Sequence, residues 1–221
     1  MKKLIFFLLL AMFSFTNSFG QLSWGGKLGF NLSSQLQKDN NTTYSKDYKS
    51  KFGLEAGLYL EYGLKENYAV QLALASTSKG YKYEANGVNF SANLGYIELQ
   101  PSFIYKHKLG NNSFYGNAGP YFTLLGGGTL SADKNVLGIN SDSKTQSIPM
   151  GNDKNKDMLK SSDFGLNIGG GIEIENFGRL GIQYSLGLAN LAVNTDNGAT
   201  IKNSSLSLAW TYPINWGIKK K

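Results

Sequence analysis

The segment KFGLEAGLYLEYGL, residues 51–64, places an apolar side chain at every even position from Phe52 to Leu64. Glycines, glutamates and Tyr59 occupy the odd positions between them. Successive side chains of a β-strand point to opposite faces, whereas a helix brings together residues three or four apart. The strict alternation therefore predicts a strand with one apolar and one polar face.

The same alternation recurs along the chain and predicts eight strands. The apolar residues stand at odd positions in 97–105, and the pattern is less regular in 114–125. They stand at even positions in the other segments, which are 24–32, 52–64, 68–74, 164–174, 180–188 and 206–214.

The connections between these strands alternate in length. Three are short, at residues 65–67, 108–113 and 176–178, and four are long and polar, at residues 33–50, 79–93, 126–162 and 190–203. Short periplasmic turns and long extracellular loops are typical of transmembrane barrels. We therefore predict an all-β fold, an eight-stranded antiparallel up-and-down transmembrane β-barrel with both termini in the periplasm.

The polar stripe is expected to face the lumen and the apolar stripe the lipid. An eight-stranded barrel has an interior just wide enough to be filled by side chains, so it cannot hold the large apolar residues of all eight strands. A soluble ligand-binding barrel is the alternative, but its outer face would carry many lysines and glutamates in place of Leu54, Leu58 and Leu60.

Aromatic residues are predicted to form a girdle at the periplasmic, short-turn rim. Amphipathic rings are enriched where lipid meets water. The residues of this girdle are Trp24, Tyr62, Tyr68, Tyr105, Phe114, Phe177 and Tyr212.

The first twenty residues have the pattern of a signal peptide. Lys2 and Lys3 precede the apolar run at 4–13, and Ser18 and Gly20 supply the small residues of a cleavage site. We predict a signal peptide at 1–20 and an outer-membrane β-barrel domain at 21–221. The run is shorter than the ~20 apolar residues of a spanning helix, which disfavours a single membrane anchor.

Composition argues against several functions. The chain has no Cys, so it has no thiolate metal site, Cys nucleophile or lipid anchor on Cys. Its net charge of +7 comes from scattered lysines and a single arginine, Arg179. This distribution lacks the clustered basic residues of a nucleic-acid-binding surface. The only histidine, His107, lies between two lysines, and 153–157 lacks the glycine and distal glutamate of a calcium loop. We expect no catalytic residues, no metal and no cofactor.

Several short segments resemble a known family. They are WGGKLGFNLS at 24–33, FGLEAGLYLEY at 52–62, LGYIELQP at 94–101, AGPY at 118–121 and YSLGLAN at 184–190. Together they resemble the porin-like outer-membrane β-barrel domain of the PorT family, which is common in the Bacteroidota. The resemblance implies a small outer-membrane barrel, and the family takes its name from a member tied to protein secretion. The C-terminus departs from outer-membrane barrels that end on an aromatic residue, since residues 213–221 follow Tyr212.

The alternation also turns charged side chains inward. Unpaired charges in a narrow lumen are costly, so we predict ion pairs in which Glu55 or Glu98 contacts Lys27 or Arg179, within a network that includes Glu173. A hydrated ion path is the alternative.

These features predict a non-enzymatic outer-membrane barrel with a filled lumen, acting in surface interaction or envelope integrity through its external loops. The alternative is a narrow pore or an accessory of a secretion or transport complex. The expected partners are membrane lipids, the outer-membrane assembly machinery and a protein at the external loops, with no nucleic acid. Loop 126–162 is either a binding segment or a solvated one.

Overall fold

A computed structural model describes residues 22–85, 88–132 and 145–214, so the predicted signal peptide at 1–20 lies outside the described residues. Among the described residues, no helix is long and apolar enough to cross a membrane. The elements are β1 (Leu22–Lys38), a short 3₁₀ helix (Tyr44–Asp47), β2 (Tyr48–Lys65), β3 (Tyr68–Ala85), β4 (Val88–Leu109), β5 (Asn112–Ala132), β6 (Thr145–Ile148), β7 (Phe164–Ile174), β8 (Gly178–Gly187) and β9 (Thr200–Pro213).

Eight of these strands close into one antiparallel ring. Strands β1 to β5 pair in chain order, β5 pairs with β7, and β8 and β9 follow. The ring closes where β9 pairs with β1, from Gly25↔Pro213 to Lys38↔Thr200. The short β6 pairs with the end of β5 outside the ring. The predicted eight-stranded up-and-down barrel is confirmed.

The wall of the barrel is taller on one side. Strands β3, β4 and β5 contain 18, 22 and 21 residues, whereas β7 and β8 contain 11 and 10. About 9–11 residues suffice for a tilted spanning strand, so the taller strands continue beyond the membrane at the long-connection end.

All four predicted long connections are too long, since β5 continues to Ala132 and β9 begins at Thr200, and the first two connections change most. Strand β1 continues to Lys38 and β2 begins at Tyr48, which shortens the connection expected at 33–50. The pairing of β3 with β4 continues to Ala85↔Val88, so the prediction of a long connection at 79–93 is wrong. Only residues 86–87 separate these two strands, and most of the expected loop is barrel wall.

The apolar stripe forms an exposed belt around the ring. Side chains such as Leu58, Ile168 and Leu208 are 60%, 63% and 54% exposed, while Ala73 and Ile104 on the inner face are both 2% exposed. An apolar surface of this extent is not stable in water, and it fits lipid.

Above this belt the apolar residues change face. Tyr81 and Tyr83 have the same parity as the buried Lys79, so they lie on the lumen side of β3. Phe90 lies on the same side of β4, opposite Tyr83. Tyr48 of β2 stacks on Tyr81 with 4.2 Å between ring centroids. The aromatic residues turn inward because the outer face of the extension meets water instead of lipid.

The seam between β4 and β5 contains two prolines opposite each other. The register at Leu99↔Phe122 sets Pro101 across from Pro120, and pairing resumes at Phe103. Two residues in this position of an antiparallel ladder exchange two hydrogen bonds, but proline has no N–H to donate. The ladder is therefore interrupted at 100–102 and 119–121, within the lipid-facing belt.

Candidate functional site in the lumen and at its two ends

The middle of the lumen holds a buried ion pair bridged by an amide. Lys27 of β1 lies 2.7 Å from a carboxylate oxygen of Glu55 on β2. The Gln100 side chain accepts a hydrogen bond from Lys27 at 3.1 Å and donates to Glu55 at 3.2 Å and to Glu98 at 3.0 Å. The amide thereby links two carboxylates that would otherwise repel each other.

A second layer lies nearer the long-connection end. Lys79 of β3 forms a 2.6 Å ion pair with Glu98 of β4, and its ammonium lies 4.1 Å from the ring centroid of Tyr121. The Tyr121 hydroxyl donates to Asp163 at 3.1 Å, and the Asn203 amide donates to the same carboxylate oxygen at 3.0 Å. All five side chains are buried. The layer brings together polar groups from four different strands and the segment before β7 across the lumen.

The third layer lies toward the short turns and is centred on Arg179 of β8. Its guanidinium contacts Glu61 at 2.6 Å through Nη2 and Glu173 at 2.6 Å through Nε. Lys106 of β4 lies 3.0 Å from Glu61 and 3.1 Å from Glu173. Two cations and two carboxylates therefore alternate around one centre, which we call the Arg179 quartet.

The five residues predicted for the network all point into the lumen, but their partners are partly different. Lys27 contacts Glu55, and Arg179 contacts Glu173, whereas the partner of Glu98 is Lys79. Lys79 was not predicted as a member because it lies in 79–93, which was expected to be a loop. Four more residues of the polar layers were not predicted: Gln100, Tyr121, Asp163 and Asn203. Gln100 and Tyr121 occupy inward-facing positions of predicted strands, and that position is the signal that could have identified them.

The long-connection end of the lumen is covered by a small apolar core. Leu159 from the segment before β7 and Leu191 from the segment after β8 pack against Leu94 and Tyr96 of β4. Leu94 and Leu191 are fully buried. Backbone hydrogen bonds fix the two segments to each other, with the Lys160 N–H donating to the Leu191 carbonyl at 2.8 Å. We call residues 149–163 and 188–199 the lid. Leu159 fixes the lid to the core, whereas residues 152–156 of the predicted 126–162 loop are exposed.

The short-turn end opens into a cavity of about 1400 Å³, which we call the vestibule. It is lined by turn residues such as Glu66 and Asn111 and reaches Tyr59 and the Arg179 quartet. A cavity of about 40 Å³ lies beyond and shares Arg179 and Thr211 with it, which is room for a few water molecules at most.

The predicted girdle residues lie at the short-turn end. Tyr68 and Tyr105 are direct cross-strand partners with ring centroids 5.3 Å apart. Trp210, which the sequence analysis did not include, donates a hydrogen bond from its indole N–H to the Phe177 carbonyl at 2.8 Å and contacts the Tyr212 ring. Six of the predicted residues have side chains that are about half exposed: Trp24 42%, Tyr68 41%, Tyr105 42%, Phe114 52%, Phe177 45% and Tyr212 43%. Tyr62 is less exposed.

The connection between β1 and β2 is held by Asp39. Its carboxylate accepts hydrogen bonds from the Tyr44 hydroxyl at 2.7 Å and from the backbone N–H groups of Asn41 at 2.8 Å and Thr42 at 2.7 Å. The Tyr44 hydrogen bond and then the two backbone bonds lower the pKa of Asp39 below its ordinary value. The connection is therefore an ordered turn that depends on an ionised carboxylate.

The closed ring, the lipid-facing belt and the polar lumen define an integral β-barrel of the outer-membrane type. The chain matches the outer membrane protein beta-barrel domain family over residues 13–193 and belongs to that family. No curated protein sequence matches it significantly.

Several solved barrels are similar to this chain. Ail of Yersinia pestis is 15% identical with a TM-score of 0.39, and the alignment covers 88% of this chain and 99% of Ail. Neisserial surface protein A is 12% identical with a TM-score of 0.45, covering 88% and 98%. OprG of Pseudomonas aeruginosa is also 12% identical with a TM-score of 0.45, covering 88% and 96%. The outer membrane enzyme PagL is 12% identical with a TM-score of 0.37, covering 83% and 98%.

Proposed function

We propose that this protein is a closed, non-enzymatic outer-membrane barrel that acts through its long-connection end, in surface interaction or envelope integrity. The observation that carries the proposal is the lid, because the buried core of Leu94, Leu159 and Leu191 seals the end of the lumen above three polar layers. A lumen filled in this way leaves the outer surface as the part of the molecule available for function.

The non-enzymatic part of the proposal rests on the position of His107. It is exposed near the end of β4, where its register partner is the outward-facing Phe114. Among the described residues no hydrogen bond joins His107 to a hydroxyl group, and activation of a nucleophile by an adjacent base is what covalent catalysis requires.

Planar-bilayer conductance tests whether the lumen is closed. We expect the purified protein to show no steady discrete channels, because in the described part of the chain the lid and the three polar layers lie across the lumen. A matched variant, Leu191→Asp, places a charge in the apolar core and should raise transient current without a change in fold. Steady channels of uniform size in the unmodified protein would overturn the proposal.

The vestibule favours one alternative, a narrow pore or an accessory of a secretion complex, which is the role that the PorT resemblance suggests. Its volume of about 1400 Å³ gives a soluble partner or solute access to the quartet from one end. Capture of the natively embedded protein with intact secretion components, lost when Glu66 in the short turn is changed to Lys, would favour this alternative.

The proposal also places the lid outside the cell and the termini in the periplasm. The absence of Cys from the chain gives a clean labelling test. We expect Asn155→Cys in the lid to react with a membrane-impermeant maleimide in intact cells, and Glu66→Cys to react only after the outer membrane is permeabilised. The opposite pattern would reverse the orientation.

A further inference from the structure

Three lysines gather on the outer face of β2 and β3, directly above the lipid-facing belt. Lys49 and Lys82 are register partners, so their side chains project from the same face. Like charges placed directly opposite each other are destabilising in a sheet. Phe52 and Leu54, which are 55% and 57% exposed, mark the upper part of the belt just below them.

A bulge brings Lys51 to the same face. The pairing of β2 with β3 shifts by one residue between Ser50 and Glu55, so Lys51 and Phe52 both leave the sheet on the outer side. The Lys51 ammonium donates a hydrogen bond at 3.0 Å to Asn93 on the exposed face of β4. Its stem crosses Gly80, where a Cβ atom would meet Lys51 Cδ at 3.3 Å and where φ is +142°.

The cluster has more positive than negative charge. Lys49 contacts Glu84 at 2.5 Å, and Lys82 interacts electrostatically with the same carboxylate, whereas Lys51 has no ion pair with a carboxylate among the described residues. Burial and then the neighbouring Lys82 lower the pKa of the Lys51 ammonium. The hydrogen bond to Asn93 holds Lys51 in place despite this repulsion.

We propose that Lys49, Lys51 and Lys82 bind the phosphate group of a membrane lipid whose acyl chains lie against Phe52 and Leu54. An ammonium is a good point-charge partner for phosphate, and the height of the lysines above the belt matches the headgroup region. The inference rests on the proposed function in one respect: the proposed orientation of the barrel assigns the lipid to the outer leaflet. The phosphate site itself depends on the lysines and the belt.

The test uses the full mature protein in nanodiscs of phosphatidylcholine with a small fraction of phosphatidic acid. Lipid retained by the protein after extraction is measured by native mass spectrometry. We expect phosphatidic acid to be enriched over phosphatidylcholine, and Lys51→Met with Lys82→Met to reduce the enrichment about 25-fold, since each lysine near an anionic surface contributes roughly fivefold. Lys51→Arg with Lys82→Arg should keep most of it.

The matched control removes two lysines from the lid, Lys154→Met with Lys156→Met, and should change the enrichment less than twofold. Heat-dependent gel migration shows that each variant is folded. Equal enrichment in the Lys51 and Lys82 variant would overturn the site. Displacement of the lipid by millimolar inorganic phosphate would overturn the lipid as its ligand. Neither outcome depends on the direction of insertion, which the maleimide experiment decides separately.

Discussion

The Arg179 quartet gives a quantitative prediction for stability. Arg179→Met keeps the length of the side chain but removes one of two cations that neutralise Glu61 and Glu173. Each charge-assisted hydrogen bond contributes about 1.5–3 kcal/mol, and breaking a buried pair by removing one partner costs about 3–5 kcal/mol. Lys106 still lies 3.0 and 3.1 Å from the two carboxylates, so we expect a loss of about 3 kcal/mol, at the lower end of this range.

A second substitution tests the cause. Glu173→Gln alone should cost about 1 kcal/mol, because the Glu173 side chain is 34% exposed and water screens its charge. In the double variant Lys106 and Glu61 remain as a balanced pair, so the total loss should be about 2 kcal/mol instead of about 4 kcal/mol. A double-mutant cycle would then give a coupling of about 2 kcal/mol between Arg179 and Glu173.

Equilibrium unfolding by urea in lipid vesicles, followed by tryptophan fluorescence and by gel migration, measures these differences. Lys154→Met is the control, because its pair with Asp196 is exposed and its loss should leave the midpoint of unfolding unchanged. A loss below about 1 kcal/mol for Arg179→Met, or strictly additive effects in the cycle, would refute the view that the quartet is a coupled buried unit.

Three further predictions concern the lid, the seam and the first connection. Leu191→Ala should cost about 2–4 kcal/mol locally, and faster hydrogen exchange confined to the lid would show it. Replacing Pro101 and Pro120 with Val restores two backbone donors, so amide exchange across the seam should slow and the midpoint of urea unfolding should rise; an unchanged midpoint with unchanged exchange would contradict the missing hydrogen bonds. The folded pKa of Asp39 is lowered, so its contribution to the ordered turn is present above the unfolded pKa and is lost as pH falls through the folded value. Tyr44→Phe should raise the pKa of Asp39 in a carbon NMR titration, and an unshifted titration would exclude this hydrogen bond.

The sequence predicted the strands because lipid imposes a simple rule on them. Every outward side chain within the membrane must be apolar and the narrow lumen takes the rest, so the alternation in 52–64 shows both the strand and its faces. The rule ends where the wall leaves the membrane. Tyr81, Tyr83 and Phe90 continue an alternation there on the opposite face, and Asn86-Gly87 is a dipeptide typical of two-residue hairpin turns. The change of the apolar residues from even to odd positions in β3 is the sequence signal of the wall that extends beyond the membrane.

The ion pairs were harder to predict than the faces. Parity shows that Glu98 points inward, but its partner depends on how far neighbouring strands are displaced along each other. The register partner of Glu98 is Ala75, and Lys79 reaches Glu98 from four residues further along β3, in a stretch that was expected to be a loop. Asp163 and Leu191 lie in connecting segments without periodicity, so no pattern in the sequence places them at the lumen.

The vestibule opens at the short turns, while the lid covers the opposite end. In the closed barrel proposed above, a solute or proton that enters the vestibule leaves by the way it came, so the quartet equilibrates with the fluid on one side of the membrane. Such a barrel would be chemically two-sided, because acidification at the short-turn side reaches Glu173 and Arg179 through the vestibule, while the lid covers the opposite end.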